Sequence, residues 1–316
     1  MDNLPDVQSQ IPQYTISIDK VGIINLRKRI KILHGNKAYE FSPIFTAFVK
    51  LPKEQRGIHM SRSSETIEEV IDELSYKSYS SLESVCKIMS ETLLEKHNYS
   101  PQSEVSSKGI LVVDVLQEGF GKRQRAYEVF SKSISQRTAE GIKSRLFLGA
   151  SAEGMSTCPC AQELLQSYAT DIILERKEDF KLEPDQIEKL LTVIPIASHS
   201  QRSKGTLCVE LSREREVDIL TLTEMIESCM SGVVHDVLKR PDEGKLVRLA
   251  HLNPLFVEDS LRLMAQQVVE RLQYLSDDSS IFLRVESMES VHVFNACAEK
   301  RTTLGDLKRE LQGEKA

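Results

Sequence analysis

Ser107-Lys-Gly-Ile-Leu-Val-Val-Asp-Val-Leu-Gln117 contains the longest apolar run of the chain, which stops at Asp114. The run is too short to span a membrane, and its β-branched residues favour an extended strand. Strands are predicted over residues 107–134 and 140–150. Residues 14–33 and 38–50 alternate apolar with polar positions, which predicts two more strands around a turn at His34-Gly35-Asn36.

Two helices are predicted between these groups of strands. One begins with Ser63 or Ser64 as N-cap and has acidic residues in its first turn. The other covers about residues 81–97, where apolar side chains recur at helical spacing. The first half of the chain therefore has the order strands, helices, strands.

The second half is predicted to have a similar order, without a residue-level repeat. Helices are expected from Cys158 to about Lys177, over 218–231 and over 256–275, and strands over 205–211, 280–286 and 291–297. Runs of strands next to runs of helices indicate an α+β fold with antiparallel sheets covered on one face. We place the division between two domains at residues 1–140 and 141–316.

Composition excludes several classes of protein. The 316 residues carry 41 basic and 47 acidic side chains, a net charge of −6, and no Trp. This balance argues against a general nucleic-acid binder, and no stretch has the length of a membrane span. The acidic N-terminus lacks the features of a secretory signal, so we expect a cytoplasmic protein. Six cysteines spread over such a chain are expected to be free thiols or metal ligands.

The sharpest local motif is Gly154-Met-Ser-Thr-Cys-Pro-Cys-Ala-Gln162. It places Cys158 at the start of a predicted helix, where unpaired N–H groups favour the thiolate that binds metals or attacks carbon. The simpler interpretation, that Cys158 and Cys160 are small packing residues, has about even weight. A structural zinc site with four cysteines is disfavoured because no second pair exists.

Four other polar residues are candidates, each with a simpler interpretation. His199 and His292 could be ligands or general bases, although an isolated His is more often a hydrogen-bonded surface residue. Glu243 is predicted in a turn induced by Pro241 and could be merely solvated. Glu258 is predicted in the first turn of a helix, where a carboxylate complements the helix dipole.

Basic residues recur every three positions through a predicted loop, at Lys50, Lys53, Arg56, His59 and Arg62. Pro52 and Gly57 disfavour a regular helix there, and such a loop could bind phosphates. A charged surface loop is an equally good interpretation. Arg202, three residues after His199, is a further cation for an anionic ligand.

Taken together, these segments resemble the type IB GTP cyclohydrolases, and within them the archaeal MptA type. The matching blocks follow the family's order along almost the whole chain: Asp6-Val-Gln, Val21-Gly22, Arg56-Gly-Ile-His-Met-Ser-Arg-Ser, Met155 to Gln162, His199-Ser-Gln-Arg, Arg240-Pro-Asp-Glu, Asn253-Pro, Phe256-Val-Glu-Asp and Glu289-Ser-Val-His. Each block is short, but the ordered set is specific.

The resemblance implies two tandem tunnelling-fold units, each an antiparallel sheet with two helices, and a homotetramer with active sites between subunits. It implies a metal, Fe(II) or Zn(II) or Mn(II) in its place, with Cys158, His199, Glu243 and His292 at the coordinating positions. It also places Glu258 at the guanine base. Arg56, His59, Arg62 and Arg202 are our candidates for the phosphates, on charge and position alone.

The reaction implied is metal-dependent hydrolysis of GTP that releases formate, with Cys158 and His199 as catalytic residues. The product of the archaeal type is 7,8-dihydroneopterin 2′,3′-cyclic phosphate, the first step of tetrahydromethanopterin or related pterin synthesis. Two alternatives stay open: formation of 7,8-dihydroneopterin triphosphate for folate synthesis, and a non-catalytic metal-binding or pterin-binding protein on the same fold. Phe294 stands where relatives usually have a second His, and His251 is a candidate to replace it.

Overall fold

A computed structural model describes residues 6–34, 37–76, 81–117, 121–212 and 217–313. The predicted turn at 34–36 lies partly outside these ranges. The strands are β1 (Ile18–Arg27), β2 (Ile30–His34), β3 (Lys37–Phe41), β4 (Ile44–Leu51), β5 (Gln102–Gln117), β6 (Gly121–Thr138), β7 (Gly141–Thr157), β8 (Ser200–Leu211), β9 (Gly232–Val233), β10 (Ser280–Ser287) and β11 (Ala296–Thr303). The helices are α1 (Met60–Tyr76), α2 (Leu82–Lys96), α3 (Pro159–Glu175), α4 (Lys177–Phe180), α5 (Pro184–Val193), α6 (Ile219–Ser228), α7 (Arg240–Leu252), α8 (Val257–Arg271) and α9 (Leu304–Leu311).

The chain folds into two compact units that interleave in sequence. One contains residues 1–150 and 208–219, and the other contains residues 151–207 and 220–316. Strands β7 and β8 each contribute residues to both units. We expected a single division at residues 140/141, and the assignment of one tunnelling-fold unit to each side of it stays a prediction.

The first unit is an antiparallel sheet with two helices. Its strands follow the order β1-β4-β5-β6-β7, and β2 and β3 form a separate hairpin. Strands β5 and β6 pair without interruption from Gln102 opposite Gln136 to Gln117 opposite Gly121. Helix α2 packs on β4, β5 and β6 and buries apolar side chains, including Met89, Leu93 and Leu94.

Gly22 in β1 occupies a position that has no room for a side chain. A Cβ atom there would collide with the carbonyl oxygen of Ala47 on the neighbouring strand β4. Only glycine lets the two backbones approach this closely. The Val21-Gly22 block of the family resemblance therefore has a packing reason.

The second unit contains the remaining helices and the other strands of the nine-stranded sheet. Its strands follow the order β7-β8-β10-β11, with the short β9 beside β7. Strands β10 and β11 are antiparallel, from Ser280 opposite Thr303 to Ser287 opposite Ala296. Helices α6 and α8 contribute to its core through Leu222, Met225, Ile226, Met264 and Val268.

The α+β class with antiparallel sheets is confirmed, but several predicted bounds are wrong. The strands predicted over 14–33 and 38–50 are four strands, β1 to β4. Helix α1 begins at Met60, so neither Ser63 nor Ser64 is its N-cap, and its first turn has no acidic residue. In the part of the chain that the structure describes, no helix is long and apolar enough to cross a membrane.

Two further differences affect candidate ligands. Glu243 lies in the first turn of helix α7 and not in an irregular turn, because Pro241 occupies a helix-starting position where proline is favourable. The strand predicted over 291–297 lies at 296–303, so His292 belongs to the connection between β10 and β11. Helices α4, α5, α7 and α9 and the short strand β9 were not predicted.

Candidate functional site

Cys158 lies where a strand passes directly into a helix. Strand β7 ends at Thr157, helix α3 begins at Pro159, and Cys158 is the N-cap. Its Sγ accepts a hydrogen bond from the N–H of Ala161 at 3.5 Å. The half-buried side chain of Cys158 therefore lies at the positive end of a helix, as the sequence predicts.

The segment before β8 is joined to Cys158 through the main chain. The N–H of Cys158 donates to the carbonyl oxygen of His199 at 3.1 Å. In the opposite direction, the Ser198 hydroxyl donates to the carbonyl oxygen of Cys158 at 2.6 Å. Cys158 and His199, 41 positions apart in the sequence, are therefore held side by side by backbone contacts.

The imidazole of His199 is held in one orientation. Gln201 Nε2 donates to Ser287 Oγ and to the Glu289 carboxylate, each at 3.1 Å. Because a carboxylate only accepts, the Gln201 Oε1 atom faces His199, and His199 Nδ1 must donate to it at 2.9 Å. In the neutral ring the lone pair of His199 is therefore on Nε2, the arrangement that a metal-binding imidazole needs.

The other candidate ligands have exposed side chains. Glu243 lies in the first turn of α7. His292 lies in the connection after β10, and its ring stacks on Phe294 with centroids 4.9 Å apart and planes 6° apart. That connection also meets His199, since Ser290 Oγ lies 3.3 Å from its Nδ1.

The four candidate ligands are only partly arranged to bind a metal ion. Cys158 supplies a sulfur atom at a helix start, and His199 supplies an oriented nitrogen. Within the described ranges, however, the side chains form no group of three or more His, Cys, Asp or Glu residues spaced to hold a metal ion. The structure thus pairs Cys158 with His199 but does not gather Glu243 and His292 around them.

Glu258, the candidate for the guanine base, is exposed in the first turn of α8. The segment before this helix is joined to the Cys158 segment, because the N–H of Leu255 donates to the carbonyl oxygen of Thr157 at 3.0 Å. The Thr157 N–H in turn donates to Ser231 Oγ at 3.1 Å. The start of α8 is therefore anchored one residue before Cys158.

Three of the four candidate phosphate residues lie in the first unit. Arg56 Nη1 donates to Gln10 Oε1 at 2.9 Å, and Arg62, inside α1, donates to the Lys96 carbonyl oxygen at 3.3 Å. His59 Nε2 lies 3.2 Å from the Asp6 carboxylate, and its buried Nδ1 has no partner among the described residues. Hydrogen bonds from Ser9 hold the pKa of Asp6 below its usual value, and His59 contributes less.

Arg202, the fourth candidate phosphate residue, lies on β8 in the second unit. It is exposed and forms an ion pair with Glu153 at 3.1 Å. A phosphate would have to compete with that carboxylate for the guanidinium group.

Sequence reasoning missed Gln201 and Gln162. Both lie in blocks that carry the family resemblance, but an uncharged amide gives no signal of its role until its partners are known. His251 was expected as a substitute proton carrier. Its Nδ1 lies 2.8 Å from the Val247 carbonyl oxygen and its Nε2 lies 3.2 Å from that of Ser198, so both nitrogens face backbone acceptors.

Comparison with known proteins gives a consistent result. Residues 4–298 match the family model described as type I GTP cyclohydrolase folE2. The chain is 37% identical to GTP cyclohydrolase MptA of Methanosphaera stadtmanae, with 98% of each chain covered. It is 36% identical to GTP cyclohydrolase MptA of Methanocaldococcus jannaschii, with 97% of each covered, and 36% identical to that of Haloferax volcanii, with 98% of each covered.

Solved structures support the fold. A uricase from Bacillus fastidious aligns with a TM-score of 0.53 at 10% identity, covering 95% of this chain and 97% of its own. Uricase from Arthrobacter globiformis aligns with a TM-score of 0.51 at 7% identity, covering 90% of this chain and 93% of its own. This likeness concerns the fold alone and agrees with the tunnelling fold. By the near-full-length match of its sequence and of its motifs in order, the chain belongs to the type I GTP cyclohydrolase family.

Proposed function

We propose that this GTP cyclohydrolase opens the imidazole ring of GTP by hydrolysis, releases C8 as formate and forms 7,8-dihydroneopterin 2′,3′-cyclic phosphate. This would be the first step of tetrahydromethanopterin or a related pterin synthesis. The pairing of Cys158 with His199 by main-chain contacts, in a chain of this family, is the observation that supports it most. The alternative product is 7,8-dihydroneopterin triphosphate.

Cys158, His199, Glu243 and His292 are the residues that we propose to hold Fe(II), or Zn(II) or Mn(II) in its place. One thiolate, two imidazoles and one carboxylate suit these ions. When bound, such an ion supplies Lewis acidity that makes water a nucleophile at neutral pH. The exposed side chains of Glu243 and His292 would have to turn toward Cys158 and His199 for all four to coordinate.

The protein's own residues would orient the nucleotide. Glu258 would accept hydrogen bonds from the guanine N–H groups, a donor pattern that adenine does not present. Arg56, His59, Arg62 and Arg202 would neutralise the phosphates. Proton transfer is assigned to His199 and the polar groups beside it.

The proposal is tested with anaerobically purified, Fe(II)-loaded protein and GTP. We expect formate and, after oxidation, a fluorescent pterin, with ATP giving neither. Phosphorus NMR of the same mixture separates the cyclic phosphate from the triphosphate product. Tight GTP binding without formate would instead support the non-catalytic alternative.

Neighbouring cysteines provide a matched pair of variants. We expect Cys158→Ala to lose bound metal and formate release together, because the thiolate is a proposed ligand. Cys160→Ala should keep both, since Cys160 is exposed on the first turn of the same helix. Metal content by mass spectrometry and the formate assay check this. Unchanged turnover in Cys158→Ala would remove Cys158 from the site.

A further inference from the structure

The five residues that lead to His199, residues 195–199, have no regular secondary structure. Their position therefore depends on individual hydrogen bonds and not on a helix or sheet ladder. Two of these bonds join the loop to Cys158, as described above. Two further contacts with the loop come from the side chains of Gln162 and His251.

Gln162 uses both hydrogens of its amide on backbone oxygens of two segments. Its Nε2 donates to the Ile196 carbonyl oxygen at 2.9 Å and to the His251 carbonyl oxygen at 2.7 Å. Gln162 lies one turn after Cys158 on α3, so its position is tied to that of the thiol. One side chain thus connects the start of α3, the loop before His199 and the end of α7.

His251 makes the complementary contact from α7. Its Nε2 lies 3.2 Å from the Ser198 carbonyl oxygen, one residue before His199, and the tautomer that carries its hydrogen on Nε2 donates to that oxygen. His251 is in the last turn of α7, and Glu243 is in the first turn of the same helix. The two residues are eight positions apart in the helix, which corresponds to about 12 Å along its axis. The position of Glu243 is thereby coupled to the loop that carries His199.

We propose that Gln162 and His251 are positioning residues that fix the segments carrying Cys158, His199 and Glu243 relative to one another. They act through backbone carbonyl groups and do not bind the metal. This inference rests on the proposed metal-dependent function. Removing either side chain should leave the proposed metal ligands chemically unchanged. The segments that carry those ligands, however, should no longer be held next to one another.

The test compares Gln162→Leu and His251→Leu with the wild-type protein, using Co(II) as the probe metal. Outer-shell changes typically weaken metal binding by about 10- to 100-fold, and we expect that range for both variants. His251→Gln keeps a donor and should recover part of the affinity. Gln166→Leu, one turn further along α3, is the matched control and should bind Co(II) as the wild type does.

A second measurement uses the metal-free protein. Hydrogen exchange of the Cys158 N–H, which donates to the His199 carbonyl oxygen, should speed up by at least tenfold in both leucine variants. Circular dichroism confirms that the variants fold. Formate release should recover in the variants at saturating metal, because the ligands themselves are intact.

The outcomes are distinct. Wild-type Co(II) affinity and wild-type exchange in both folded leucine variants would overturn the positioning role. A wild-type protein that binds Co(II) but releases no formate would overturn only the proposed reaction, and the affinity ratios would still decide the inference. A wild-type protein without Co(II) binding would overturn both.

Discussion

At the scale of single residues, His97 is the most perturbed imidazole among the described residues. It is fully buried at the end of α2, with Nδ1 2.7 Å from the Tyr99 hydroxyl and Nε2 3.2 Å from Ser63 Oγ. Burial lowers the pKa of His97 to about 4, and the nearby charge of Arg62 acts in the same direction. The neutral ring is therefore the form that the folded protein accommodates.

This perturbation predicts a dependence of stability on pH. Between pH 6.5 and about 4 the unfolded chain protonates His97 while the folded chain does not, so the free energy of unfolding falls as the pH falls through that window. The loss attributable to His97 is at most about 3 kcal/mol. Urea denaturation at pH 7 and pH 4.5 measures it, and His97→Gln should show a smaller change between the two pH values. An equal change in both proteins would contradict the assignment.

At the scale of elements, helix α2 meets the sheet through serines as well as apolar side chains. Ser90 Oγ lies 2.7 Å from both Ser133 Oγ and Ser135 Oγ on β6, and Ser103 Oγ donates to the Ser90 carbonyl oxygen at 2.6 Å. Small hydroxyl residues let the helix approach the strands closely. Each buried hydroxyl must keep a partner, since an unsatisfied one is costly.

Substitution of Ser90 tests that interface. Ser90→Ala should lower the free energy of unfolding by about 1–3 kcal/mol, because it removes a partner from two buried hydroxyl groups. Ser84→Ala, near the start of the same helix, should have a smaller effect because Ser84 is only half-buried. Chemical denaturation of both variants gives the comparison. Equal losses of unfolding free energy in the two variants would show that the Ser90 hydroxyl contributes no more to stability than the Ser84 hydroxyl.

Sequence patterns predict a strand best where burial alternates along it. Strands β4 and β10 alternate buried with half-buried residues, and both were expected. Strand β11 ends the sheet order and buries none of its residues, so its sequence carries little periodic signal and its bounds were misplaced. Cys158 was placed correctly because a helix start is a local feature. The hydrogen bonds that Gln162 Nε2 and Gln201 Nε2 donate join segments 34 or more positions apart and have no local signature.

At the scale of the whole molecule, α3 has an unusual surface. None of its residues, all within the described part of the chain, is buried, and Leu164 and Tyr168 are 67% and 64% exposed. Exposed large apolar side chains on one helix are typical of an interface. The homotetramer implied by the family resemblance stays a proposal, and α3 is where we expect one of its contacts.

Introducing a charged side chain on α3 tests whether this helix forms a contact between subunits. We expect wild-type protein to elute as a tetramer and Leu164→Glu as a smaller species, because a buried unpaired carboxylate would disfavour association. Glu163→Gln, exposed on the same helix, should leave the assembly unchanged. Light scattering after size-exclusion chromatography measures the mass. A monomeric wild-type protein would contradict the proposal.

The main-chain contact between Cys158 and His199 has a consequence for engineering. A backbone hydrogen bond is independent of the side chains at either end, so the spacing of the two positions should survive an exchange of donor atoms. Cys158→His or His199→Cys would change the softness of the donor set while the scaffold stays the same. The proposed metal site is therefore suited to selecting one metal over another by changing a single side chain.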